Sequence, residues 1–190
     1  MLKLIVALGN PEEKYALTRH NIAWQLLPYL SFYDNLTWQE KFKGKYATHA
    51  IQSQKLFFLT PQTYMNKSGE SVQPFMNFFR LETEEILIIH DDIELEFGVV
   101  GVKKGGGLAG HNGLRSIASS LGASDFNRFR LGISRPIHGK VDSYVLGKFS
   151  EDEQIVLPIY LKKAAQLLEQ CLIKELDSCE RKFRKEKLIN

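Results

Sequence analysis

A histidine in a polar cluster, Thr18-Arg19-His20-Asn21, lies shortly after the turn Gly9-Asn10-Pro11, and that turn ends an apolar run from Leu4 to Leu8. Strand ends in α/β proteins are where polar groups gather for chemistry. Two later segments carry groups of the same kind, Pro61-Gln62-Thr63-Tyr64-Met65-Asn66 and Gly110-His111-Asn112-Gly113. Asp91 stands just past a second apolar run, Ile86 to Ile89. An imidazole, a carboxylate and the neutral amides of Asn10, Asn66 and Asn112 are parts for general-base hydrolysis without a metal.

Imidazole changes charge near neutral pH without help, so the histidines come first. His49 falls in a strand and His138 in a basic loop, and both read as surface or structural. His90 reads as a buried, hydrogen-bonded residue before an Asp pair, and His111, in a glycine-rich turn, suits a structural or a binding role. His20 follows the first strand in a cluster too polar for the start of a core helix, which makes it the candidate base. Asp91 is its candidate partner, since a nearby carboxylate raises a histidine's pKa and strengthens it as a base. The amides each offer two donors and an acceptor without charge, fit to hold a peptide or an oxyanion.

Two other chemistries compete. Asp91-Asp92, with Glu94 and Glu96, could hold Mg²⁺, but successive strand residues point to opposite faces and would not aim both Asp side chains at one ion. Gly105-x-Gly107-x-x-Gly110 matches a dinucleotide fingerprint. It sits in mid-chain, however, and no acidic residue ends a following strand about 20 residues on. The glycines read better as a loop that lets a ligand backbone come close. Lys103 and Lys104 beside it could meet phosphates. No Gly-x-Ser-x-Gly elbow is present, so no serine nucleophile is implied.

The elements that must position these groups alternate between strand and helix. Strands are expected over Leu2–Leu8, Tyr46–Ile51, Lys55–Leu59, Ile86–His90, Val99–Lys103 and Arg128–Ile133. Asn21 is expected to cap a helix over Ile22–Leu30 that Pro28 kinks or ends, and Asn112 one that ends at Gly122. Ser68–Arg80 reads as a helix, with Pro74 tolerated only in a first turn. Ser150 and Glu153 form a capping box, and a basic amphipathic helix is expected over 158–187. The sum is one three-layer α/β/α domain over residues 1–190, its twisted central sheet mixed and largely parallel, with the hairpin Tyr46–Leu59 at one side.

A chain of 190 residues with 44% apolar and 25% charged residues suits one soluble globular domain. No apolar run approaches the roughly 18 residues needed to cross a bilayer. The chain opens directly on a strand, so no signal peptide is expected. Cys171 and Cys179 would stand about 12 Å apart on a continuous helix, too far to pair. A reducing, cytoplasmic setting fits. The net charge is +3, yet residues 99–148 hold eight Lys/Arg against two Asp. That basic segment fits an anionic partner such as a phosphate backbone, or else a solvated face with no partner.

The motifs taken together resemble a known family. Leu8-Gly9-Asn10-Pro11, Tyr15, Thr18-Arg19-His20-Asn21, Pro61-Gln62-Thr63-Tyr64-Met65-Asn66-x-Ser68-Gly69, His90-Asp91-Asp92 and Gly110-His111-Asn112-Gly113 are similar to those of bacterial-type peptidyl-tRNA hydrolases. Phe126-x-Arg128-x-Arg130-Leu131-Gly132-Ile133 and Val145-Leu146-Gly147-Lys148-Phe149 fit as well. The likeness spans nearly the whole chain in order. It implies a monomeric cytoplasmic esterase, without cofactor or metal, that cuts the ester between a peptide and the 3′ ribose of tRNA. By that resemblance His20 is the base, Asp91 orients it, and Asn10 helps to distinguish N-blocked from free aminoacyl-tRNA. Tyr15, Tyr64, Asn66 and Asn112 would contact the peptide and terminal nucleotides, Met65 would wall the cleft, and Lys103 and Arg130 would grip tRNA phosphate. Two positions depart from the family pattern, since Glu12 and Ala23 stand where it usually has glycine.

Overall fold

Short apolar runs with no helical period become the inner strands of one sheet. The computed structural model describes residues 1–174 and 176–189. Its elements begin with β1 (Leu4–Ala7), α1 (Ile22–Leu26), β2 (Gln39–Lys41), β3 (Gly44–Ile51), β4 (Gln54–Pro61) and α2 (Gly69–Phe79). The second half adds β5 (Ile86–Asp92), β6 (Val99–Lys104), α3 (Asn112–Leu121), β7 (Asn127–Gly132), α4 (Val141–Val145), α5 (Glu151–Ile173), α6 (Leu176–Lys182) and β8 (Glu186–Lys187). The eight strands lie in the order β2-β3-β4-β1-β5-β7-β6-β8. The four central strands β4, β1, β5 and β7 run parallel, with antiparallel strands at both edges.

Both faces of the sheet are covered, as a sheet with parallel central strands requires. On one face Ile5, Leu87, Ile89, Phe129 and Leu131 pack with residues of α1 and α5. On the other, Leu4, Val6, Ile86 and Ile88 pack with Val72, Phe75, Leu114 and Ile117 of α2 and α3. Every residue of β5 is buried, and each of its aliphatic side chains contributes about 1.5–3 kcal/mol by leaving water. This is the expected three-layer α/β/α arrangement with a mixed sheet. Parallel pairing puts the C-terminal ends of β1, β4 and β5 on one edge. The turns that hold Asn10, Tyr64 to Asn66 and Asp91 therefore converge.

Several local expectations are corrected. Pro74 and Pro158 both lie inside helices. Each removes one backbone bond to the carbonyl four residues earlier. Glu70 and Pro74 are exposed, as are Gln154 and Pro158, so water reaches the freed carbonyls. The basic helix expected over 158–187 therefore starts at Glu151, on the foreseen Ser150–Glu153 capping box, and stops at Ile173. Residue 175 lies outside the described residues. Beyond it the chain turns back through α6, which brings the Cys179 and Cys171 thiols into hydrogen-bonding contact, against the expected separation. The short strands β2 and β8 and the helix α4 were not foreseen. β2 has three exposed polar residues and no apolar alternation.

Tyr160 of α5 is buried against the sheet, where its hydroxyl shares its proton between the Val99 and Gly132 carbonyls at 3.0 and 3.3 Å. Tyr160→Phe should cost about 1 kcal/mol, read as a lower urea midpoint at unchanged m-value. An unaltered midpoint would show that these carbonyls are satisfied without the phenol.

Candidate active site

Four chain segments at the C-terminal edge of the parallel strands build the site. After β1 the backbone passes so close to Trp24 that a Cβ on Gly9 would lie 2.6 Å from the indole. Trp24 donates from Nε1 to the Ala7 carbonyl at 2.8 Å, which pins α1 against β1. Asn21 was expected to cap α1. Its side chain instead accepts from the Asn10 N–H and donates to the Asn10 carbonyl, both at 2.9 Å. Asn10 Oδ1 in turn accepts from the Met65 N–H at 2.7 Å, tying the β1 turn to the β4 turn. With its oxygen occupied, the Asn10 amide is left with its NH₂ donor.

His20 sits in a 3₁₀ turn, Arg19–Asn21, and is buried. Arg19 holds this turn in place. Its guanidinium pairs with Glu153 at the start of α5 at 2.7 Å and stacks on Tyr144 of α4 at 4.1 Å. His20 Nδ1 lies 2.8 Å from Asp91 Oδ1. Since a carboxylate only accepts, Nδ1 carries the proton and Nε2 has the lone pair.

The same Asp91 oxygen has a second donor, His111 Nε2 at 3.0 Å. Here the tautomer is fixed from the other side, because His111 Nδ1 accepts from the Gly113 and Leu114 N–H groups at 3.2 and 3.3 Å. His111, not Asn112, is thus the N-cap of α3. The helix does end at Gly122 in the left-handed conformation, as expected. The sequence signal for this cap and for the second contact to Asp91 is the Gly-His-Asn-Gly turn, which does not show which of the two polar side chains faces the helix. His90 donates from Nδ1 to the Asp91 backbone carbonyl at 2.7 Å, and its buried Nε2 has no partner among the described residues.

Burial acts against the charge on His20, but the Asp91 carboxylate and its hydrogen bond outweigh this, with Asp142 adding, so its pKa rises above the ordinary histidine value. Burial alone would raise Asp91, yet the two imidazoles hold its carboxyl far below the usual carboxylate range. Asp91 therefore stays ionised, and His20 is a stronger base than a free histidine. His90 goes the other way, pushed down to about 3, chiefly by burial.

Asn10, Tyr15, His20, Tyr64, Met65, Asn66 and Asn112 all line one outer cleft of about 340 Å³, with Asp142, Val145 and Leu146 on the α4 side. Asp91 lies directly behind His20. Seven of the ten expected site residues thus share a groove, and an eighth supports it. The three α4-side residues were missed because nothing in that stretch marks it as helical. Lys103 and Arg130 stand apart from the cleft. Register pairs Lys103 with Arg128 and Gly101 with Arg130, so Lys103, Arg128 and Arg130 share one sheet face. Arg130 Nε is held by Asp92 Oδ2 at 2.7 Å.

Two rival chemistries meet their geometry here. Asp91 faces His20 and His111 while Asp92 faces Arg130, so the two carboxylates do not converge on an ion. His20, Asp91 and His111 do bring three ligand atoms within 4.8 Å of one another. Both ring nitrogens, however, point at one oxygen at N–H donor distances, and the second nitrogen of His111 is committed to α3. In the glycine loop, Arg128 donates to the carbonyls of Gly105 and Gly107, so the loop turns carbonyls rather than N–H groups toward a cation. That is the reverse of a dinucleotide cradle. The loop also follows an antiparallel strand, β6.

The buried neutral His90 makes stability depend on pH. Between its folded value of about 3 and its unfolded value of 6.5, the unfolded chain binds a proton that the folded chain does not. Stability therefore falls as pH drops from 6.5. Down to about pH 4.5 the ionised Asp91 adds nothing to this slope. His90→Gln should flatten the fall in urea midpoint over that range, and an identical slope in the variant would place the proton uptake elsewhere.

A family model for peptidyl-tRNA hydrolase matches residues 4–190. The chain is 43% identical to a peptidyl-tRNA hydrolase of Geotalea uraniireducens, covering 99% of each protein. It is 40% identical to that of Bdellovibrio bacteriovorus over 95% of this chain and 98% of the relative. Among solved structures, the peptidyl-tRNA hydrolase of Acinetobacter baumannii superposes with a TM-score of 0.89 at 34% identity, covering 99% of this chain and 97% of that one. With its motifs, its fold and these relatives in agreement, the chain belongs to the peptidyl-tRNA hydrolase family.

Proposed function

We propose that this chain hydrolyses the ester between a peptide and the 3′ ribose of tRNA with His20 as the general base. The observation that carries the role of His20 is its Nδ1 contact to Asp91 at the floor of a cleft walled by neutral amides. Nε2 takes a proton from a water as that water attacks the ester carbonyl. Asp91 stabilises the imidazolium that forms. N–H donors of Asn66 or Asn112 meet the oxyanion. The tetrahedral intermediate collapses, and the imidazolium returns its proton to the 3′ oxygen, releasing tRNA and a peptide acid. An ester is activated enough for one positioned base, so no covalent intermediate is invoked. Asn10, with a neutral donor aimed at a peptide carbonyl, favours N-blocked substrates. Tyr15, Tyr64 and Met65 hold the peptide and terminal nucleotides.

The basic strip on β6 and β7 is read as the tRNA track. Lys103 is partly exposed and Arg130 keeps its terminal nitrogens beyond the Asp92 contact. Alternate residues on a strand are about 6–7 Å apart, so the strip can follow a phosphate backbone outward from the cleft. The chain is read further as a monomer acting in the cytoplasm, one domain over residues 1–190. Among the described residues no helix is long and apolar enough to cross a membrane.

His20→Ala should lower kcat on N-acetyl-aminoacyl-tRNA by about 10²- to 10⁴-fold while tRNA binding persists. Parental turnover in that variant would remove His20 from the chemistry. Activity should survive excess EDTA, and loss that a divalent ion restores would turn the His20–Asp91–His111 group into a metal site. Lys103→Ala should weaken binding and lower the slope of log K against log salt by about 0.7–0.9. A parental slope would mean that phosphate is held elsewhere.

A further inference from the structure

Glu12 has φ 73° and ψ 133°, a backbone conformation that side chains with a Cβ rarely adopt and glycine adopts freely. Strain of this kind persists only where other contacts hold it, and it gathers at functional sites. The contacts here are specific. The Glu12 carboxylate accepts from the Tyr64 hydroxyl across 52 residues of sequence. It also pairs with Lys14 Nζ at 2.8 Å. Lys14 Nζ in turn lies 4.8 Å from the centroid of the Tyr15 ring. Tyr15 and Tyr64 both line the outer cleft. One carboxylate therefore connects the two aromatic side chains of that cleft, one from the turn after β1 and one from the turn after β4.

We propose that Glu12 is a positioning residue, which sets Tyr15 and Tyr64 at the spacing that receives the peptide part of the substrate. The inference rests on the reading of the outer cleft as the peptide site. Glu12, Lys14 and Tyr64 are exposed, and exposed pairs of this kind add little to folding stability. A strained residue with such contacts serves the cleft rather than the fold. Its chemistry is consistent with a fixed brace. Lys14 and then Tyr64 hold the Glu12 carboxyl below its ordinary value, so it stays ionised at neutral pH. The carboxylate raises the Tyr64 phenol, which keeps its proton for the bond. With its hydroxyl so engaged, Tyr64 offers its ring face to the substrate.

Steady-state kinetics on N-acetyl-aminoacyl-tRNA and thermal melts test this with Glu12→Gly, Tyr64→Phe and the double variant. Glu12→Gly should raise KM about fivefold, the scale of one lost hydrogen bond, with kcat held to within about twofold. Its melting midpoint should stay level or rise, since glycine relieves the φ strain. Tyr64→Phe keeps the ring and loses the same bond, so it should raise KM similarly, and the double variant should be no worse than either single one. A parental KM for Glu12→Gly would overturn the proposal. So would a KM rise with a matching fall in kcat and melting midpoint, the mark of a structural role, or KM effects of the two changes that multiply in full. His20→Ala run alongside separates the two readings, because parental turnover there sinks the cleft assignment itself, whatever Glu12 does.

Discussion

One carboxylate oxygen, Asp91 Oδ1, accepts a hydrogen bond from each of two imidazoles, and the site is organised around it. Asp91 is buried in the middle of the sheet edge. An ionised carboxylate there is costly unless it is paired, and removing one partner of such a pair typically costs about 3–5 kcal/mol. The two partners come from opposite sides, His20 from the turn before α1 and His111 from the start of α3. Because His111 also caps α3 with its other nitrogen, the helix, the carboxylate and the cleft imidazole form one hydrogen-bonded chain. When His20 is neutral, the protonation pattern along that chain leaves its Nε2 as the acceptor.

A second hydrogen-bonded chain sets the amides. Asn21 grips the Asn10 backbone from both sides, and Asn10 grips the Met65 N–H. The His20 imidazole and the amide wall thus share the segment from Thr18 to Asn21, which Arg19 anchors to α4 and α5. Backbone polar groups that would otherwise be unmet in the turns are satisfied by the side chains that hold the site together. Rigid support of this kind is what the proposed reaction needs to hold a water, an ester carbonyl and a base within hydrogen-bond reach of one another.

The strands and the residue types of the site were legible because buried strands read as apolar runs and because polar turns after them stand out. His20 and Asp91 could be paired on that basis although 71 residues separate them. What the sequence hid were choices among equivalent donors. Asn21 and Asn112 are both good capping residues, yet Asn21 is taken by Asn10, and a histidine caps α3 in place of Asn112. Pro74 was expected inside its helix only in a first turn and Pro158 at a helix start, because a pattern cannot show that the carbonyls they free face water. Glu12 was visible as a departure, but its contact with Tyr64 depends on two parallel strands lying side by side. Ala23, the other departure, sits in the regular helix α1, where alanine is at ease.

The ring of His20, its pKa raised by Asp91, acts in the proposed reaction through its neutral form. NMR titration of the His20 imidazole in the intact protein, set beside the pH profile of kcat/KM, tests it most directly. His20 should titrate above 6.5, the acid limb of the profile should share that midpoint, and both should move down together in Asp91→Asn. A His20 ring that titrates below 6.5, or an acid limb that stays put while the ring's midpoint moves, would contradict it.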